Sequence, residues 1–296
     1  MTEAKQPIAG VQWFHVDDPN SPALDELAQR FKLHPLQVED CRHAPQRPKV
    51  EEHDEYLFVV LKHLHAVEGQ DLEFDDFDAF VGAGFLVTVT TGDRQFMERV
   101  CTRARQDNVT RTDKLFYLIV DEIVDAYTVL LDRIADESSD IESEVLEQPD
   151  PPMLRRIFRL KRGLIEFRRV SGGMREVVNA IIRREHGIIG DDLDLYFRDV
   201  YDHLIRTVDL IETYRDLLTG SLDIYLSAVA NRTNQVMKVL TVYGTVSIPL
   251  VVITGFFGMN LKLPWMDSPH GIWYASALML ASTVLVLLYF RAKRWF

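Results

Sequence analysis

Seven positions spaced by alternating steps of three and four residues carry no charge: Asn234, Met237, Thr241, Gly244, Ile248, Val251 and Gly255. On a helix they share one face. They offer amide, hydroxyl and carbonyl oxygens separated by apolar constrictions, and nothing that could ligate a bare divalent ion through carboxylates. Mg²⁺ dehydrates reluctantly and keeps its waters. Such a face on the axis of an oligomeric channel therefore suits an ion that passes hydrated and is touched through its water shell. Zn²⁺ would require His, Cys or carboxylate ligands; the apolar C-terminal stretches have none, and only His270 stands beside them. The competing reading is a membrane anchor whose polar residues pack helix against helix. Spacing alone leaves both open.

Other candidate chemistry is sparse. Asp202, Asp209, Asp216 and Asp223 recur every seven residues, a slowly drifting stripe that is either a solvated face or a cation-attracting, subunit-facing one. His63 and His65 alternate on an apolar run and would share one strand face; the ordinary reading is surface polarity, the sharper one a Zn²⁺ site. No nucleophile–base arrangement and no glycine-rich phosphate loop occurs, and Gly172-Gly173 alone means little, so no enzyme activity is expected. A membrane-anchored sensor remains the reading from a different class. Cys41 and Cys101 are far apart and read as free thiols in a reduced compartment. A net charge of -12 excludes a nucleic-acid partner, which needs a basic footprint.

The elements that must position these residues are legible from segregation. Mean hydropathy is -0.06, yet charge crowds into the first 238 residues. Val239–Leu261 and Gly271–Phe290 are uncharged runs of 23 and 20 residues, each long enough to cross ~30 Å of hydrocarbon. Residues 262–270, with Pro264 and Asp267-Ser268-Pro269, make a short loop on the far side. The tail 291–296 is basic, and Arg232 and Lys238 flank the first span. By the positive-inside rule both termini are cytoplasmic in a cell (inner) membrane. The N-terminus carries no apolar run, so no signal peptide is expected.

Residues 1–113 read as a cytosolic α/β domain, with strands at Val11–Val16, Tyr56–Leu61 and Phe85–Thr90 and a helix capped by Ser21-Pro22. Residues 114–193 are helical: an acidic stretch through Asp132, Glu137, Glu144 and Glu147, a breaker at 148–152, then a basic stretch through Arg155, Arg156, Arg159 and Arg169. An antiparallel hairpin with complementary charge is one reading, two solvated faces the other. From Asp194 a stalk helix (194–238) continues into the first span, roughly 90 Å of helix in all. The fold class is thus an α+β membrane protein with a long helical stalk and two C-terminal transmembrane helices.

Phe257-Gly258-Met259-Asn260 ends the first span. Its placement, with Asn234-Gln235-Val236-Met237 and Pro249-Leu250 upstream, resembles the CorA family of magnesium and divalent-cation channels. The likeness reaches back through Tyr196–His203, Leu160-Lys161-Arg162 and His34-Pro35-Leu36 to Arg47–Val50. It implies a funnel-shaped homopentamer carrying Mg²⁺, with Co²⁺ and Ni²⁺ as further candidate ions, down the membrane potential. It carries an ion filter onto Gly258, Met259 and Asn260. It carries constrictions onto Asn234, Met237, Leu240, Ile248 and Val251, and regulatory cytosolic Mg²⁺ between protomers onto Glu39, Asp40, Asp121 and Asp199. Ile248 and Val251 replace the family's frequent Met and Thr, and Lys262 stands where a Glu is usual. A Zn²⁺ transporter of the same superfamily is the alternative.

Overall fold

The computed structural model describes residues 11–65, 72–91, 94–147, 150–183, 187–259, 270–293 and 295. The chain divides into two compact units, Met1–Leu222 and Asp223–Phe296. In the first unit a five-stranded sheet has the order β1-β5-β4-β3-β2, with β1 Trp13–Val16, β2 Lys49–His53, β3 Tyr56–His65, β4 Glu73–Gly82 and β5 Leu86–Thr90. Only β1 and β5 run parallel; the other neighbours are antiparallel. The strand expected from Val11 begins at Trp13, because the Val11 carbonyl turns back to accept the Trp13 N–H at 2.8 Å.

Side-chain alternation explains why β3 reads as one apolar run. Tyr56, Phe58 and Val60 join the core formed with α1 (Pro22–Arg30) and α2 (Pro35–Arg42). Leu57, Val59 and Leu61 are equally buried on the other face, where α3 (Arg94–Gln106) packs Phe96 against Phe77 and His63. A strand covered on both sides has no polar face to alternate with. His63 is therefore buried, not surface polar, with its ring 4.3 Å from that of Phe96. Helix α1 starts as its sequence indicates, with Ser21 Oγ accepting from the Ala23 N–H and Pro22 in the first turn.

Helices α4 (Thr112–Glu147) and α5 (Pro151–Arg183) follow. Arg156 meets Glu144 at 2.6 Å and Arg159 meets Glu137 at 3.0 Å. Partner numbers fall on α4 as they rise on α5, so the two helices are antiparallel with complementary charge. Gly173 has a packing role: a Cβ there would lie 2.9 Å from Pro48, just before β2. A 3₁₀ turn, Asp191–Leu193, leads into α6 (Asp194–Phe257), one helix of 64 residues shared by the two units. Arg111 holds this turn, bonding Asp192 at 2.9 Å and Asp113 beside it.

The second unit contains the rest of α6 and α7 (Gly271–Ala292). The most apolar window of each helix is long and apolar enough to cross a membrane, and none of its residues is buried by the chain itself. A core helix of a soluble protein would be covered by its own fold. Here the apolar surface is left uncovered by the chain.

Candidate functional site

Within α6 the proposed lining and the half-buried residues lie on different faces. Val242, Thr245, Val246, Pro249, Leu250, Ile253 and Phe257 are half-buried, whereas Asn234, Met237, Leu240, Thr241, Gly244, Ile248, Val251 and Gly255 are exposed. At 100° per residue the mean directions of the half-buried set and of the exposed set from Thr241 onward differ by roughly 160°. Thr241 and Thr245 turn their hydroxyls back to the carbonyls of Met237 and Thr241, both at 2.7 Å. This satisfies the donors without water and leaves hydroxyl oxygens free to accept. The exposed face carries no charged side chain from Val239 to Met259.

The helix ends on the motif. The Gly258 N–H donates to the Thr254 carbonyl at 2.9 Å and the Met259 N–H to Phe256 at 3.3 Å. A Cβ on Gly258 would sit 3.1 Å from the Thr254 oxygen, tighter than side chains normally tolerate. Met259 is half-exposed. Asn260 and residues 261–269, including Lys262 and Asp267, lie outside the described residues.

The four acids assigned to regulation fall into two places. Asp121 on α4 and Asp199 on α6 flank Tyr117, whose phenol is pushed up by burial, then by Asp121, with Arg103 opposing and Asp199 adding. Asp121 is 6% exposed and paired with Arg103, which also lies 3.6 Å from Asp125. Burial and Asp121 push the Asp125 carboxyl upward against Arg103. Asp199 itself is exposed. Glu39 and Asp40 sit instead on α2, on the opposite side of the sheet from α3, against which α4 packs. Lys49 bridges Asp40 and Glu51, both at 2.6 Å. Although burial works against it, these two carboxylates hold the Lys49 ammonium above its ordinary range.

Among the described residues no three His, Cys, Asp or Glu side chains of one chain are grouped to hold a metal ion. The α2 acids and the α4/α6 acids are not brought together within the chain. Each group carries a cation that sequence reading missed: Arg103 beside Asp121 and Lys49 beside Asp40. Both are distant in sequence or strand-borne, so no helical spacing announced them. The heptad acids Asp202, Asp209, Asp216 and Asp223 are all exposed. Cys41 and Cys101 are free thiols.

The comparisons agree with this architecture. A family model described as CorA-like Mg²⁺ transporter protein matches residues 9–294. A cobalt/magnesium transport protein CorA of Thermotoga maritima is 36% identical over 92% of this chain and 79% of its own length. One of the same description from Methanocaldococcus jannaschii is 25% identical over 96% of this chain and 90% of its own. The complete structure of the CorA magnesium transporter from Methanocaldococcus jannaschii superposes with a TM-score of 0.84 at 25% identity, covering 96% of this chain and 91% of that one. The chain is a membrane protein and belongs to the CorA-like Mg²⁺ transporter family.

Proposed function

We infer that this protein is a passive Mg²⁺ channel, a homopentamer in the cell membrane with both termini in the cytosol. The carrying observation is the exposed, uncharged face of α6, which lies opposite the half-buried residues of the same helix. Five copies of that face around an axis give a path of neutral oxygens and apolar constrictions at Asn234, Met237, Leu240, Thr241, Gly244, Ile248 and Val251. An ion can pass there only with its waters. Gly258, Met259 and Asn260 form the filter at the outer mouth. An inside-negative potential supplies roughly 4.6 kcal/mol per divalent ion at ~100 mV, so transport needs no nucleotide.

Closure follows from the split of the acids. Asp40 and Glu39 of one subunit meet Asp121 and Asp199 of the next, and cytosolic Mg²⁺ between them relieves the repulsion and draws the subunits together. Arg103 and Lys49 hold these carboxylates in place while the ion is away. The deciding experiment is flux into proteoliposomes under an inside-negative potential, with Mg²⁺, Co²⁺, Ni²⁺ and Zn²⁺ compared. Mg²⁺ flux that is faster than Zn²⁺ flux and independent of ATP is expected; preferential Zn²⁺ flux would move the protein to the zinc-transporting branch of the superfamily.

A further inference from the structure

Asp40 on α2 already has a cation against it. The Lys49 ammonium lies 2.6 Å from Asp40 Oδ2, 2.6 Å from Glu51 Oε1 and 5.4 Å from the centre of the Phe58 ring. The Lys49 and Asp40 side chains are 29% and 31% exposed, so an ion arriving from solvent reaches this pair. Glu51 is anchored through its other oxygen, which accepts from Gln37 Nε2 at 3.1 Å. Gln37 is held in turn by the Tyr56 hydroxyl, which donates to its Oε1 at 2.6 Å and accepts from the His34 N–H at 2.8 Å. Burial opposes the ionised form of Glu51, yet the hydrogen bonds from Lys49 and Gln37 hold its carboxyl below the ordinary range. Lys49 therefore has a second fixed anion beside it. The acids on α4 repeat the pattern: Arg103 pairs with Asp121 and has Asp125 at 3.6 Å and Glu122 at 3.8 Å.

We propose that Lys49 is a tethered competitor for Asp40, a role that rests on the inter-subunit reading above, and that its displacement onto Glu51 sets the Mg²⁺ concentration at which the sensor closes. A carboxylate oxygen is a hard ligand of the kind Mg²⁺ takes, and the ammonium stands in for a cation at contact distance from it. Two cations repel at a single carboxylate, so the divalent ion binds Asp40 as Lys49 moves away. Leaving Asp40 does not strand the ammonium, because Glu51 and the face of Phe58 remain beside it. The exchange trades one charge-assisted contact for another, which keeps the competition shallow. A lysine suits this role. Its compact head on a flexible stem releases one carboxylate at a time, whereas the planar fork of an arginine would clamp both.

The test titrates Mg²⁺ against protease protection of the first unit, on the full-length protein in detergent, and reads midpoint and plateau separately. Lys49→Met removes the ammonium and keeps an unbranched apolar stem. It should lower the midpoint roughly two- to fivefold, the scale of a partly exposed ion pair, and leave the plateau unchanged; Lys49→Gln makes the same comparison if Lys49→Met fails to fold. Glu51→Gln should raise the midpoint, because Lys49 loses its second anion, and should do nothing in the Lys49→Met background. Arg42→Met removes a cation two residues from Asp40 that pairs with Asp25 instead, and should move the midpoint less than Lys49→Met does. Equal shifts in Arg42→Met and Lys49→Met, or a Glu51→Gln shift that persists in the Lys49→Met background, would assign the effect to the general field and overturn the competition. A lowered plateau with an unmoved midpoint would make Lys49 structural only. A Mg²⁺ dependence lost in Asp40→Asn/Asp199→Asn but unmoved by Lys49→Met removes this role alone; a dependence that survives the double variant removes the inter-subunit sensor and this role with it.

Discussion

The two units of this chain handle charge in opposite ways. Of 45 acidic residues only Asp223 and Asp267 belong to the second unit, which carries six basic ones. The first unit pairs acids with cations of its own: Arg103 with Asp121, Lys49 with Asp40, Lys62 with Asp76. On the proposed function an ion is recognised by charge in the first unit and without charge in the second. Direct carboxylate ligation binds tightly and releases slowly, which suits a sensor. Neutral oxygens reading a water shell bind weakly at several points, which suits conduction.

The largest effect expected from breaking that contrast is at the filter. In the proposed filter, Asn260→Ala removes an amide able to donate to and accept from ion-bound water, and a methyl replaces neither function. Mg²⁺ flux into proteoliposomes should fall by roughly tenfold or more, the equivalent of ~1.4 kcal/mol or one lost hydrogen bond, while oligomer size on gel filtration stays unchanged. Wild-type flux and selectivity in a properly assembled variant would remove Asn260 from the filter.

Next comes the sensor. In the proposed sensor, Asp40→Asn with Asp199→Asn removes both the binding charge and the repulsion that an ion would relieve. Raising internal Mg²⁺ should then neither protect the first unit from protease nor close the current. A wild-type Mg²⁺ dependence in both assays would mean these acids do not sense the ion.

How far these sites could be read without coordinates follows the same divide. The second unit was legible because lipid imposes a composition: Val239–Leu261 and Gly271–Phe290 announce themselves as apolar runs, and among the described residues α6 ends at Phe257 and α7 spans Gly271–Ala292. Helical periodicity survives in the sequence, so the positions proposed as the lining could be placed on one face of α6 before its exposure was known. In the first unit the strands Tyr56–Leu61 and Phe85–Thr90 were visible as apolar runs, but their order was not, since β3 is apolar on both faces. The partners of Asp121, Asp40 and Asp78 come from other elements, brought close only by folding. Asp78 in particular reads as one acid in an ordinary acidic run, Asp75-Asp76-Phe77-Asp78; its burial depends on pairing with Val60 across β3 and on α2 above it.

A smaller effect concerns that buried acid. Its carboxyl is raised in the folded chain to about 7 from an ordinary value of 3.8. The folded state then binds the proton more tightly than the unfolded one, so ionisation costs stability as pH rises from about 4 to 7, and the full cost is present above 7. The groups facing Asp78 are Asp40, Cys41 and Arg42 from α2, Lys62 from β3, Asp76 from β4 and Thr90 from β5. In chelator-treated protein the melting temperature of the first unit should rise as pH is lowered from 8 to 6. Asp78→Asn should flatten that dependence and stabilise the unit at pH 8 by on the order of a few kcal/mol at most. A slope in Asp78→Asn equal to that of the wild type would assign the titration to another group.

The smallest effect is at Lys262, and it tests the contrast from the opposite side. If the second unit reads ions without carboxylates, adding one should change how ions arrive and leave selection intact. Lys262 follows Asn260 by two residues, so a five-fold assembly places five cations close in sequence to the filter, opposing the arrival of divalent ions. Lys262→Glu reverses all five charges in the ring at a stroke. The apparent Mg²⁺ affinity for transport should rise by a fewfold at low ionic strength. The gain should fade as salt approaches 0.1 M, where the screening length is ~10 Å. The preference for Mg²⁺ over Zn²⁺ should not move, because a distant charge attracts both ions alike. Current measured at 10 mM and 150 mM salt separates these outcomes. An affinity gain that persists at high salt, or a selectivity that shifts toward Zn²⁺, would mean the new carboxylate touches the ion directly, and the second unit would then no longer be a charge-free reader.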